Sequence, residues 1–112
     1  MRDCIFCKII NGEIPTSKVY EDEFCFAFKD IEPLAPVHFL VVPKRHLASV
    51  AEIDEETAPV VGHIYQVIAS LAKDMGIAGG YRVVTNCGSD AGQTVQHLHF
   101  HVLAGKQLGS FN

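Results

Sequence analysis

The stretch VQHLHFHVL, Val95 to Leu103, carries three histidines at every second position, with Leu98, Phe100 and Val102 in the gaps. Six histidines serve the whole chain, and half of them fall within these five positions. Successive side chains of a β-strand point to opposite faces. The spacing therefore predicts a strand over roughly 97–104, with Leu98, Phe100 and Val102 turned to a core. His97, His99 and His101 then line the other face at steps of about 6.5–7 Å. Core packing does not choose three polar rings for one face. A solvated face that happens to carry histidine is the plain alternative; chemistry on that face is the reading adopted.

Working outward, Tyr81 to Asn86 reads as the strand before it, and CGSDAGQTV, 87–95, as the loop between, rich in glycine and small polar residues. Upstream, the period changes. Val60, Val61, Ile64, Ile68, Leu71, Ala72 and Met75 recur at helical spacing, so a helix is expected from about Asp54 to Met75. Acidic residues 54–56 suit its N-terminus, Gly76 suits its stop, and Pro59 must lie near the first turn. HFLVVP, His38 to Pro43, is a short apolar run closed by proline and reads as a buried strand. Val19–Glu21 and Cys25–Lys29 flank the acidic pair Asp22-Glu23 and read as a hairpin. Ile5 to Ile10 is a short apolar stretch before a turn at Gly12 to Pro15. The order strand, strand, strand, helix, strand, strand predicts an α+β domain: an antiparallel sheet of about five strands with one main helix.

The chain has 112 residues, which predicts one domain spanning 1–112. Hydrophobic residues make up 48%, enough for a core, but so short a chain leaves apolar surface that a dimer would cover. The formal charge of −4 argues against nucleic acid as a partner, which asks for a basic face, though a local phosphate pocket stays open. No apolar run reaches membrane-spanning length, and MRDCIFCKII has no secretory pattern, so no membrane partner and a cytoplasmic location are expected. Disulfides are accordingly disfavoured for Cys4, Cys7, Cys25 and Cys87.

Two chemistries suit the histidine row. Two histidines at i, i+2 with a third ligand can hold a catalytic zinc. Alternatively, a neutral imidazole is a good nucleophile near neutral pH, with neighbours fixing its tautomer. Cys4-Ile5-Phe6-Cys7 is by itself ambiguous between half a zinc site, a redox pair and chance.

His97-Leu98-His99-Phe100-His101-Val102-Leu103 fits the pattern His-x-His-x-His followed by two apolar residues, and the chain resembles the histidine triad (HIT) family, most closely its HINT-like branch of nucleotide-binding hydrolases. The resemblance extends through Asp30-Ile31, through Ala35 to His46, and through Asn86 and Gly92-Gln93-Thr94-Val95, so it covers residues 4 to about 105. It implies a HIT-like fold and a two-fold dimer whose sheets join into one. It also implies cleavage of nucleoside 5'-phosphoramidates or related nucleotidyl compounds at the α-phosphorus, through a nucleotidyl-histidine intermediate, to release a purine nucleoside monophosphate. His99 is then the nucleophile, His101 and His38 are phosphate-site groups, and His97 orients the nucleophile or binds metal. Thr94 stands where the family often has serine. Ile5, Phe6, Ile9 and Phe28 match the positions that sandwich the purine, and Asp30 and Ile31 the ribose and base contacts. Asn86 and the loop through Gly92, Gln93, Thr94 and Val95 match donors to phosphate or ribose.

In some bacterial relatives that this N-terminus resembles, a structural zinc is held by the cysteine pair, the histidine of the "PKxH" segment and the first triad histidine. Those positions are Cys4, Cys7, His46 and His97, so one zinc per chain and no organic cofactor are expected. His63 reads as incidental, and Cys25 and Cys87 as ordinary buried thiols. The final residues, 108–112, lack the tryptophan-containing tail of many HINT proteins, which leaves leaving-group specificity open, with Phe111 as one candidate substitute. Competing function classes are a dinucleoside polyphosphate hydrolase, a non-catalytic nucleotide- or partner-binding module, and a zinc hydrolase with the triad as ligands.

Overall fold

The computed structural model describes residues 3–110; Phe111 lies outside them. Five strands form one antiparallel sheet: β1 (Lys18–Glu21), β2 (Cys25–Lys29), β3 (Val37–Pro43), β4 (Arg82–Val84) and β5 (Phe100–Ala104). Their order is β1-β2-β3-β5-β4, so the histidine-bearing strand lies beside the central one. The main helix, α2 (Ala58–Asp74), covers one face, and a short helix, α1 (Ile5–Ile10), covers the other.

Alternation sorts the strands between two cores. Cys25 and Ala27 of β2, Phe39 and Val41 of β3, and Phe100 and Val102 of β5 pack with Leu98 against Ile64, Val67, Ile68 and Leu71 of α2. Phe26, Phe28, Leu40 and Val42 face the opposite way and pack against Cys4, Phe6 and Ile9. Because both faces are covered, β3 reads as a continuous apolar run rather than as an alternating one. His99 and His101 lie on the α1 side, and His38 of β3 shares that face.

Several boundaries differ from expectation for local reasons. α2 starts at Ala58, not near Asp54, because Asp54 is spent before the helix: its carboxylate accepts from the N–H groups of Glu56 and Thr57 and from the Thr57 hydroxyl. It ends at Asp74, with Gly76 in the left-handed region at φ 74°. The last strand begins at Phe100 rather than His97. Residues 97–99 leave the ladder: the Leu98 N–H donates to the Leu47 carbonyl, and the Thr85 hydroxyl to the His99 carbonyl. Ile5–Ile10 is a helix, capped by Cys4, whose thiol accepts from the Cys7 N–H. No described helix is long and apolar enough to cross a membrane.

Candidate functional site

The sheet face under α1 opens into a cavity of about 690 Å³. Ile5, Phe6 and Ile9 of α1 and Phe28 of β2 form an apolar end, with Asp30 and Ile31 at its rim. His38, His99 and His101 lie along the floor, and Asn86, Gly92, Thr94 and Val95 border it from the strand and loop that precede the histidines. The edge of Phe6 meets His99, ring centroids 5.1 Å apart, so the apolar end and the histidines are in direct contact.

The hydrogen bonds determine the tautomers. His99 Nδ1 lies 2.6 Å from the His97 carbonyl oxygen. A carbonyl can only accept, so Nδ1 carries the proton, and Nε2 of the neutral ring keeps its lone pair. The Leu34 N–H donates to His38 Nδ1 at 3.0 Å, so the neutral His38 ring carries its proton on Nε2. That proton is donated to His101 Nδ1 at 2.9 Å, and the Asp30 carboxylate stands 3.4 Å from the same Nε2. His101 therefore keeps its own proton on Nε2. Burial, followed by the neighbouring His99 and His38, pushes the His101 pKa down to about 4 against the partial counter-pull of Asp30.

The three triad histidines do not converge on one point. Among the described residues His97 groups with Cys4, Cys7 and His46, while His101 groups with Asp30 and His38. This is contrary to a single metal held by all three. His97 is fully buried, and its Nε2–H donates to the Pro43 carbonyl at 2.9 Å, so in the neutral ring the lone pair is on Nδ1. That Nδ1 lies 3.3 Å from Cys4 Sγ and 3.6 Å from Cys7 Sγ, and Cys7 Sγ lies 3.3 Å from His46 Nδ1. All four candidate ligand atoms lie within 4.8 Å of one another. Tetrahedral zinc with bonds of about 2.3 Å to sulfur and 2.0 Å to nitrogen asks for ligand spacings of about 3.5 Å. The cluster could hold a metal ion, and two thiolates with two imidazoles is a donor set zinc accepts.

Gln93 stands apart from the other predicted nucleotide contacts. It is buried, does not line the cavity, and its carboxamide is spent on the backbone: Nε2 donates to the Ala48 and Val95 carbonyls, and Oε1 accepts from the Gly88 N–H. It shapes the loop whose glycines, Gly88 and Gly92, take positive φ of 85° and 88°. Only closure of that loop reveals this role, since a glutamine among small polar residues looks the same either way.

His63 is not incidental. Its Nε2 donates to Asp22 Oδ2 at 2.6 Å, and its ring meets Phe24 edge-on. Burial raises the Asp22 pKa, but the hydrogen bonds from His63, the Phe24 and Cys25 N–H groups and the Tyr20 hydroxyl outweigh it and hold the carboxyl well below its usual range. This joins the β1–β2 turn to α2. Cys25 is buried as expected, and burial together with Asp22 pushes its thiol up to about 12. Cys87 is exposed, because it sits at the head of the loop with its sulfur 3.4 Å from the Ser49 hydroxyl.

Relatives agree with this architecture. Residues 3–112 match the family model described as "Scavenger mRNA decapping enzyme C-term binding". An uncharacterized HIT-like protein of Synechococcus elongatus is 47% identical over 106 residues, 95% of this chain and 93% of its own. A HIT family hydrolase from Clostridium thermocellum superposes with a TM-score of 0.94 at 50% identity, covering 98% of this chain and 96% of its own. A histidine triad protein from Clostridium difficile gives 0.95 at 53% identity, over 100% and 98%. A histidine triad nucleotide-binding protein from Candida albicans gives 0.83 at 36% identity, over 96% and 82%. With a family model matching residues 3–112, a relative 47% identical over 95% of the chain and superpositions at TM-scores of 0.94 and 0.95, the chain belongs to the histidine triad (HIT) family.

Proposed function

We propose that this protein is a HINT-like hydrolase that cleaves nucleoside 5'-phosphoramidates, or related nucleotidyl compounds, at the α-phosphorus and releases a purine nucleoside monophosphate. The observation that carries the reading is the His99 ring: its Nδ1–H is tied to the His97 carbonyl, so a lone pair on Nε2 is held ready on the floor of a cavity with an apolar end. The purine lies between Ile5, Phe6, Ile9 and Phe28; Asp30 accepts from the ribose hydroxyls, and Ile31 borders the base. His99 Nε2 attacks phosphorus, the P–N bond breaks, and the leaving amine takes up a proton from water in the open cavity. The phosphoryl imidazolium so formed keeps its Nδ1–H on the His97 carbonyl. Water then attacks phosphorus, neutral imidazole departs and one proton returns to solvent, so each turnover consumes one water. His101 donates from Nε2 to a phosphoryl oxygen, with His38 holding its tautomer. Asn86, Thr94 and the loop at Gly92 and Val95 supply further donors. Donors aimed at the phosphoryl oxygens are what such transfers need.

Cys4, Cys7, His46 and His97 would hold a structural zinc. It supplies no chemistry to the phosphorus: a full tetrahedral shell offers no open position. These residues instead pin α1, because Cys4 caps it and Cys7 lies within it, while its Ile5, Phe6 and Ile9 build the purine site. Thiolate ligands suit the reducing cytoplasm. The chain folds as one domain and pairs about a two-fold axis along the edge strand β4, where α2 leaves Tyr65 half exposed.

Turnover of an adenosine 5'-phosphoramidate tests the reading. The expected result is release of the monophosphate with trapping of a nucleotidyl-His99 adduct on rapid alkaline denaturing quench, under which the P–N bond survives. Absence of turnover with intact monophosphate binding would instead support a non-catalytic binding module.

A further inference from the structure

The sheet ladder stops just short of His99. β5 begins at Phe100, and its outermost pairings at this end are Phe100 with Val41 of β3 and His101 with Val84 of β4. His99 therefore has no partner in the register of either neighbouring strand, and a ladder holds only the residues within it. On one side the segment is anchored one residue earlier, where the Leu98 N–H donates to the Leu47 carbonyl. On the β4 side a side chain bridges the gap: the Thr85 hydroxyl donates to the His99 carbonyl at 2.8 Å. Thr85 directly follows β4. Its alternate neighbours Arg82, Val84 and Asn86 line the cavity, while Val83 packs on the α2 core and Thr85 is absent from the cavity wall. The residue is half-buried, and its β-branched side chain is stiff at χ1, which holds the hydroxyl in place.

We propose that Thr85 is a positioning residue that fixes the His99 backbone against the strand carrying Asn86 and so keeps the His99 ring aimed at phosphorus. The inference rests on the hydrolase reading above. Through Nδ1 the ring is tied to its own segment, at the His97 carbonyl two positions back. That bond sets the tautomer, but it does not set where the segment stands relative to the opposite wall. Thr85 supplies that reference, because the next residue, Asn86, borders the cavity with His99. A nucleophile on one strand and a donor on the next act on the same phosphorus only if the two strands are held together there. The attacking atom must approach phosphorus to about 3–3.5 Å, and a misplacement of about 1 Å caused from outside the site can cost about a hundredfold in rate. Thr85 lies outside the purine end as well, so its loss leaves binding of the nucleotide in place.

The test compares Thr85→Val, which keeps the branched shape and removes the donor, with Thr85→Ser, which keeps the donor. In turnover of adenosine 5'-phosphoramidate, Thr85→Val is expected to lower kcat about tenfold or more, with KM and the dissociation constant of the monophosphate changed by less than about twofold. Thr85→Ser should stay within about threefold of the wild-type kcat, a rescue that a general loss of packing would not give. Nitrogen NMR of the histidine rings reads the same effect without turnover. The Nδ1–H signal of His99 should be sharp and slow to exchange with water in the wild type and in Thr85→Ser, and broadened or faster to exchange in Thr85→Val. An unchanged kcat in Thr85→Val, a loss confined to KM, or a serine variant that falls as far as the valine overturns the role of Thr85. If the wild type does not turn the substrate over, the hydrolase reading fails, and the NMR comparison then decides: identical His99 signals in wild type and Thr85→Val refute the positioning role, and a change confined to Thr85→Val sustains it.

Discussion

The main-chain carbonyl of His97 accepts the Nδ1–H of His99 at 2.6 Å, while the His97 ring faces Cys4 and Cys7. One residue thus serves two sites, its backbone setting the tautomer of His99, the proposed nucleophile, and its side chain closing the candidate metal cluster. Moving the His97 backbone would disturb both.

If His99 forms the covalent bond to phosphorus, His99→Ala should lower phosphoramidate turnover by more than about a hundredfold. Binding of the nucleoside monophosphate, measured by calorimetry, should persist, since the purine end is built by other residues. Retention of more than about a hundredth of wild-type turnover would remove His99 from the role.

Protein purified without chelator should contain one zinc per chain by elemental analysis. Cys4→Ser should lose it, raise KM more than it lowers kcat, and lower the thermal midpoint, because α1 is released while His99 and His101 stay in place. Metal-free protein with unchanged melting and unchanged KM would contradict this.

His101 carries a signature in pH. Its ordinary value is 6.5 and the folded value about 4, so between these limits the unfolded chain binds more protons than the folded one. Stability from this group is therefore complete above pH 6.5 and falls as pH drops toward 4. Histidine NMR should show the His101 ring unprotonated until near pH 4; titration near 6.5 would contradict the burial that depresses it.

The Asp22–His63 pair has the opposite origin and a lower window. Asp22 is held below its usual range, so its contribution is present above the unfolded carboxylate value of about 3.9 and is lost as pH falls below it. Asp22→Asn should destabilise the fold by about 1–3 kcal/mol in urea titration at pH 7. Turnover should hardly change, since neither residue lines the cavity.

Sedimentation at micromolar concentration should give twice the mass of one chain. A charged substitution on the exposed part of the edge region, Tyr65→Glu, should shift the population toward monomer. A wild-type protein that sediments as a single chain would refute the dimer.

Much of this site is legible without a structure, and the reason is periodicity. A strand's alternation is a property of the backbone, so within β5 Phe100 and Val102 share one face and His101 takes the other, and Leu98 and His99, though outside the ladder, keep the sides that the alternation assigns them. The same holds for Ile64, Ile68 and Leu71 on α2, whose spacing alone turns them to one core. The helix at Ile5–Ile10 was less legible: six residues are too few for a period to declare itself, and its cap is a cysteine thiol rather than a usual capping group.

By itself, the sequence determined the five strands and the main helix with their core faces, the row of histidines and the residue types at the cavity, because these follow from local geometry and side-chain chemistry. Tertiary structure alone decided how the row is divided, with His97 turned to Cys4 and Cys7, and His101 to His38. It alone turned Gln93 to the backbone, joined Asp22 to His63 forty-one positions away, and set Arg82 across the cavity from Phe6. Those relationships join residues far apart in the chain. Their distances depend on closing the whole sheet between two helices, a constraint that no short window of sequence contains.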